Sequence, residues 1–174
     1  MMRIGSALVV LALGVAACGG EPEPGTVTGD VFVALETGEE VNVAGSRVHL
    51  VPEAPEVDSL LAGVCAERQR ALAQAEQAAD STQVTALRAA AVEQAWQRRA
   101  ALLGSRSAQS AVTGADARFA FDSVPAGEYR LWTDATVQGD RWTWLHPVEV
   151  RGGDSTAVSL DNSNPDEDPF RCHR

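Results

Sequence analysis

The three cysteines of this 174-residue chain are the side chains best suited to covalent chemistry, and their surroundings give them different roles. Cys18 follows a basic start, an apolar run over residues 4–13 and a stretch of small residues. A run of this length is too short to span a bilayer, and the order of features is typical of a cleaved export signal. Cys65 and Cys172 remain as an even pair, which in an oxidising compartment predicts one disulfide. The alternative is a buried thiol at Cys65 and a free one at Cys172.

The segment Val15-Ala16-Ala17-Cys18-Gly19 resembles the lipobox of bacterial lipoproteins. The resemblance implies that residues 1–17 are a signal peptide, that the Cys18 thiol receives a diacylglycerol, and that the amine exposed by cleavage is acylated. Each buried acyl CH₂ contributes about 0.8 kcal/mol, so two or more chains anchor firmly where one holds only reversibly. Gly19 in the second position implies the outer membrane. We therefore expect a lipid-anchored cell-envelope protein that faces the periplasm or the cell surface, with residues 18–25 as lipidated cysteine and tether.

No combination of nucleophile, base and metal ligands points to catalysis. The chain has no Gly-x-Ser-x-Gly, no Gly-x-x-x-x-Gly-Lys and no His-Glu-x-x-His motif. A metal site of Cys65, Cys172 and His173 would lack a fourth ligand and the usual ligand spacing. The acidic stretch 161–168 has the oxygen ligands that calcium prefers but not EF-hand spacing, so we expect a solvated tail. The sequence predicts a protein that is not an enzyme and uses no metal and no cofactor.

Trp132, Trp142 and Trp144 are the candidate ligand-binding residues. Trp142 and Trp144 are two apart and share one face of a strand, and a turn at Gly139-Asp140 would bring Trp132 near them. Flat aromatic rings flanked by polar residues suit the apolar faces of sugars, so this surface would bind carbohydrate. Packing of the three rings in the core is the alternative, and the one we favour.

Composition excludes two classes of partner. Without residues 1–17 the chain carries 13 arginines, no lysine and 24 acidic residues, a net charge of −11. Such a surface argues against nucleic acid and against anionic lipid as binding partners. The remaining length, about 157 residues, is typical of a single domain.

Short strands separated by turn signals predict a β-sandwich. In the turn before Tyr129, Pro125 fixes φ, Gly127 is suited to a positive φ, and the tyrosine hydroxyl can bond back to the turn. Residues 161–174 form an acidic tail without periodicity. Strands are expected over residues 26–35, 45–52, 111–113, 118–121, 128–137, 141–150 and 155–160.

A helical segment, taken as residues 56–104, interrupts the strand series. Residues 56–103 contain one glycine, no proline and mainly good helix formers. Because the chain must return to the sheet, we expect two antiparallel helices of about 30 Å each, divided at the N-cap cluster Asp80-Ser81-Thr82. We expect the hairpin to project from the sandwich and to fold independently of it. The apolar face of the second helix is predicted to contain Val84, Leu87, Ala91, Arg98 and Leu102.

The strand segments resemble the carboxypeptidase regulatory-like domain. The resemblance spans most of residues 26–160 outside the hairpin and implies a mainly β, Greek-key, transthyretin-like sandwich of about seven strands. Ala117 departs from the family pattern because it stands where a turn glycine is usual, and the hairpin has no counterpart there. The matching segments are Gly29-Asp30-Val31, Ala44 to Leu50, Thr113 to Phe121 and Val124 to Leu131.

Together these residues predict a non-catalytic, lipid-anchored envelope protein. Its sandwich and inserted helical hairpin would have a structural or protein-binding role, with the hairpin as the surface for an envelope protein partner. The alternative is a carbohydrate-binding module that uses the tryptophan face. The expected partners are the membrane, through Cys18, an envelope protein and, in the alternative, carbohydrate.

Overall fold

The computed structural model describes residues 23–172, so Cys18 and His173 lie outside the described residues. Neither helix in that part of the chain is long and apolar enough to cross a membrane. The elements, in chain order, are β1 (Gly25–Ala34), β2 (Glu40–Asn42), β3 (Arg47–Pro52), α1 (Pro55–Ala75), α2 (Ser81–Arg106), β4 (Gln109–Val112), β5 (Arg118–Val124), β6 (Gly127–Val137), β7 (Asp140–Val150) and β8 (Ser155–Leu160).

Two four-stranded sheets form the predicted sandwich. The first contains β2, β1 and β5 in that order, with β8 paired in parallel to β1; the second has the order β4–β3–β6–β7 and is antiparallel throughout. The element missing from the sequence prediction is β2, which is only three residues long. Its pairing with the end of β1 extends the first sheet beyond β5.

The core between the sheets follows from alternation along the strands. On β3, Val48 and Leu50 are fully buried between the sheets, while His49 and Val51 face the other side of the second sheet. Both aromatic residues of β5, Phe119 and Phe121, point into this core. The fully buried aliphatic residues that complete this inner core are Val27, Val31, Val124, Leu131 and Leu160.

The turn before β6 confirms one half of its prediction and contradicts the other. The Tyr129 hydroxyl donates a hydrogen bond of 3.0 Å to the Pro125 carbonyl, as expected. The positive φ falls on Ser123, at 54°, and not on Gly127. A Cβ at Gly127 would lie 3.4 Å from the Tyr129 ring, which is ordinary van der Waals contact, so neither backbone conformation nor space requires a glycine here. Ala117 takes a φ of 61°, which is the left-handed conformation that a glycine usually occupies.

The two helices form the predicted antiparallel pair. The Asp80 side chain caps α2 by accepting a 2.9 Å hydrogen bond from the Gln83 backbone N–H. In the second half of α2 the buried residues are Arg99 and Leu103, each one position after the predicted Arg98 and Leu102. In the first half, Leu87 was predicted on the apolar face but is 44% exposed. The buried residues of α2 are Ala91, Ala95, Arg99 and Leu103.

The expectation that the hairpin is independent of the sandwich is wrong. The base of the hairpin covers the outer face of the second sheet, where a second apolar cluster of six buried residues joins helices to strands. The helices therefore form a third layer, and only their far ends extend from it. The six residues are Val51, Trp132 and Leu145 from the sheet and Val57, Leu61 and Leu103 from the helices.

Leu61→Ala should lower the free energy of unfolding by about 2–5 kcal/mol, because it leaves a cavity between the hairpin and the sheet. Leu87→Ala is the matched control on the same hairpin, and it should change stability by less than about 0.5 kcal/mol because Leu87 is exposed. Urea unfolding of the two variants measures the difference. Equal, small effects would contradict a shared core.

Candidate functional site

The three tryptophans do not form one surface. Trp144 is fully buried between the sheets, and its Nε1 donates a 2.9 Å hydrogen bond to the Asp161 carbonyl. Trp142 is partly buried beside it, with the ring centroids 6.4 Å apart. Trp132 lies on the opposite face of the sheet, beneath the hairpin, and is 5% exposed. The prediction that the three rings share one sugar-binding face is therefore wrong, because they pack in two separate cores.

The sequence contained the signal for this separation. The turn between β6 and β7 has two residues, Gln138 and Gly139, so even-numbered residues of β6 pair with odd-numbered residues of β7. Trp132 pairs with Leu145, and paired side chains share a face. Trp142 and Trp144 must then point the other way.

His49 stacks on Trp132 below the hairpin, with ring centroids 4.6 Å apart. Burial lowers the pKa of His49, and Arg47 lowers it further, while Asp134 opposes the shift. Its Nδ1 and the Trp132 Nε1 are buried without a hydrogen-bond partner. The neutral imidazole is therefore a packing element at this site, as expected for a histidine on a covered strand.

Arg99 connects the hairpin, the second sheet and the tail. It is 1% exposed and donates hydrogen bonds to Thr143 Oγ1 at 2.9 Å, Asp166 Oδ2 at 2.8 Å and the Pro169 carbonyl at 2.7 Å. Burial lowers the pKa of Arg99, and the Asp166 carboxylate opposes that shift. Trp96 lies against the guanidinium, whose Cζ is 5.6 Å from the ring centroid. The cation is thus satisfied although it is removed from solvent.

Two more arginines extend Arg99 into a continuous ion network. Arg171 donates to Asp166 Oδ1 at 2.7 Å and to Asp58 Oδ1 at 3.3 Å. Arg130 on β6 donates to the same Asp58 oxygen at 2.6 Å and is ion-paired with Glu53. The hydrogen bonds to Asp58 and Glu53 raise the pKa of Arg130 despite burial. Three cations and three carboxylates therefore join α1, α2, β6 and the tail.

The tail is ordered, so the expectation of a solvated tail is wrong. The predicted disulfide between Cys65 and Cys172 is present and joins residues 107 positions apart. A closed loop of that length stabilises by roughly 4–5 kcal/mol in the chain-entropy model. Next to it, Phe170 is buried against Val64, with its ring centroid 4.7 Å from that of Trp96. The tail is a strap across the hairpin base.

The residues considered as metal ligands in the sequence have other partners where the structure describes them. No group of three or more His, Cys, Asp or Glu side chains in residues 23–172 could hold a metal ion. Asp166 of the tail, one of the oxygen-rich residues that could suit calcium, is instead engaged by Arg99 and Arg171. The sulfur atoms of Cys65 and Cys172 are bonded to each other.

Beyond its base the hairpin is open to solvent. In residues 66–91, which we name the distal hairpin, Ala75 and Ala91 are the two buried residues. Residues 55–106 as a whole carry six acidic and six basic side chains. The net charge of −11 expected for the chain after Cys18 therefore resides entirely on the sandwich, the tether and the tail. The hairpin differs from the body in both exposure and charge.

Comparison with known proteins identifies no family. No protein-family model matches the chain, and no curated protein matches it. A solved structure of a candidate carbohydrate-binding protein from Pseudomonas aeruginosa is 17% identical, with a TM-score of 0.43; the match covers 84% of this chain and 93% of that chain.

Two solved pilus proteins are also similar at low identity. The RrgB pilus backbone of Streptococcus pneumoniae is 13% identical (TM-score 0.31), and the match covers 79% of this chain and 41% of that one. The BcpA major pilin subunit of Bacillus cereus is 9% identical (TM-score 0.38), with 83% of this chain and 31% of that one covered. The chain thus spans less than half of either pilus protein. Its own two sheets place it in the class of β-sandwich proteins.

Arg99→Met should lower the free energy of unfolding by at least about 2 kcal/mol, because buried Asp166 would keep only Arg171 as a partner and the Thr143 hydroxyl and the Pro169 carbonyl would lose their donor. Arg98→Met is the matched control on the adjacent residue, whose ion pair with Glu67 is about half exposed; it should cost no more than about 1 kcal/mol. Chemical denaturation of both variants gives the comparison. Similar costs at the two positions would show that the network does not hold the strap.

Proposed function

We propose that this protein is a non-catalytic lipoprotein of the cell envelope, anchored through Cys18, that uses its distal hairpin to bind a protein partner. In this proposal the sandwich is a carboxypeptidase regulatory-like domain that serves as a rigid support. The anchor places the protein in the outer membrane, facing the periplasm or the cell surface. These assignments rest on the sequence segments named above.

One observation carries the binding role. The base of the hairpin is fixed by an apolar cluster, a disulfide and a buried ion network, yet the distal hairpin buries almost nothing of its own. A rigid arm loses little conformational freedom when a partner binds it. An arm without net charge also avoids the repulsion that the acidic body would exert on an acidic partner.

The tether is compatible with this arrangement. Glu23 lies beside the turn between β7 and β8, where a Cβ on Gly152 would approach the Glu23 carbonyl oxygen to 2.6 Å. The chain toward Cys18 therefore leaves the sandwich at the end that carries this turn. The hairpin packs on the outer face of the second sheet, whereas β1, the strand that follows the tether, belongs to the first sheet.

Carbohydrate binding has no comparable support. The face expected for it needs Trp132, Trp142 and Trp144 on one exposed surface, and two of these rings are buried in different cores. A protein partner is therefore the ligand class that the geometry favours.

The anchor is tested by metabolic labelling with an alkyne fatty acid. We expect wild-type protein to be labelled and to sediment with membranes, because the Cys18 thiol and the amine made by cleavage are acylated. Cys18→Ser should lose the label and accumulate as precursor. Equal labelling of the two proteins would refute the anchor.

The arm is tested by a photo-crosslinking amino acid placed at Leu87 in living cells, with the same amino acid at Gln138 as control. Both positions are exposed, but Gln138 is in the β6–β7 turn of the sandwich. We expect a discrete protein adduct from position 87 and none from position 138. Adducts of equal yield at the two positions, or none at 87, would overturn the proposed role.

A further inference from the structure

We infer that a groove between α1 and α2 binds an acidic peptide segment of the partner protein, an inference that rests on the proposed function and specifies its ligand. The groove has a volume of about 330 Å³. Its apolar lining consists of small side chains, with Val64 and Ala71 on α1 and Ala91 and Ala95 on α2. Small side chains allow the backbone of a bound peptide to approach the helices closely.

The polar lining of the groove is cationic. It contains Arg68, Arg70 and Arg98 against a single carboxylate, Glu67. Glu67 is already ion-paired with Arg98 across the two helices. Arg68 and Arg70 make no ion pair within residues 23–172. The groove therefore presents two uncompensated positive charges on a protein whose net charge is strongly negative.

Arg68 is held in place for such a role. Its Cζ is 5.1 Å from the centroid of the Phe170 ring, which the strap fixes beside Cys172. Its Nε is buried and has no hydrogen-bond partner. A donor that is removed from water without a partner is costly, and the guanidinium is pre-organised for a carboxylate. An incoming acidic side chain would supply the missing counter-charge.

The remaining polar groups favour a peptide over another source of anions. Gln74 on α1 and Gln94 on α2 both line the groove. Their side-chain amides can donate and accept hydrogen bonds, which is what a peptide backbone requires. An anionic membrane surface would have to approach the acidic body as a whole, whereas a single segment reaches the groove alone. At physiological salt the screening length is about 8 Å, so the body repels such a segment only weakly.

The test is a fluorescence anisotropy titration of a labelled peptide of alternating Glu and Ala, with a Gln-Ala peptide as neutral probe. Wild-type protein should bind the acidic peptide and not the neutral one. The double variant Arg68→Gln/Arg70→Gln should bind it about tenfold more weakly, since two charge-assisted contacts are removed. The control Arg88→Gln/Arg106→Gln removes the same charge outside the groove and should bind within about twofold of wild type. Both variants must retain the melting temperature and the disulfide of wild type.

Three outcomes would overturn the inference: no binding of the acidic peptide by wild type, equal loss in the groove and control variants, or sedimentation with phosphatidylglycerol vesicles that only the groove variant loses. Crosslinking from position 87 separates this inference from the proposed function. If the groove variant binds the acidic peptide as well as wild type does and still gives the adduct from position 87, the binding role of the arm stands and the groove is rejected as the peptide site. Peptide binding without any adduct rejects the arm and keeps the groove.

Discussion

The buried positive charge of Arg99 holds together the helices and the tail on the outer face of the second sheet. At 1% exposure the Arg99 guanidinium has no access to water, and an unpaired charge there would cost several kcal/mol. Its acceptors come from β7 and from two points on the tail, so helix, sheet and tail must be assembled together before the charge is satisfied. Because the tail supplies two of these acceptors, it packs against the protein although its sequence has no periodicity. The disulfide at Cys172 links the same tail covalently to α1.

The chain distributes its charge unevenly between the hairpin and the rest of the molecule. The sandwich and the segments around it hold the whole negative excess, which keeps such a body soluble and discourages non-specific association. The hairpin is neutral overall: Arg99 is buried in the network, Arg88 and Arg98 are ion-paired with Glu76 and Glu67, and Arg68 and Arg70 line the groove.

Local signals predicted most of the architecture, whereas contacts between distant segments were out of reach. The strand that contains Val48 and Leu50, the hydrogen bond from the Tyr129 hydroxyl and the cap at Asp80 depend on neighbouring residues, and all three are present as expected. In the sequence Arg99 resembles an ordinary exposed arginine, because the carboxylate that allows its burial, Asp166, is 67 residues away in the tail. The apolar face of α2 was displaced by one residue because alanine occurs all around this helix and does not define a face. A two-residue turn pairs even-numbered residues of β6 with odd-numbered residues of β7, and this rule would have placed Trp132 and Trp144 on opposite faces of the sheet.

The parallel pairing of β1 with β8 determines how the molecule would respond to tension. Six residue pairs, from Thr26 with Ser155 to Val31 with Leu160, link the two strands side by side. A pull on the chain before Gly25 loads β1 at its start, while a pull on the tail loads β8 at its end, because the tail continues from Leu160. The two forces act at opposite ends of parallel strands, so the ladder is sheared and its hydrogen bonds share the load. Strands joined in this way resist a pull applied between the N-terminal segment and the tail.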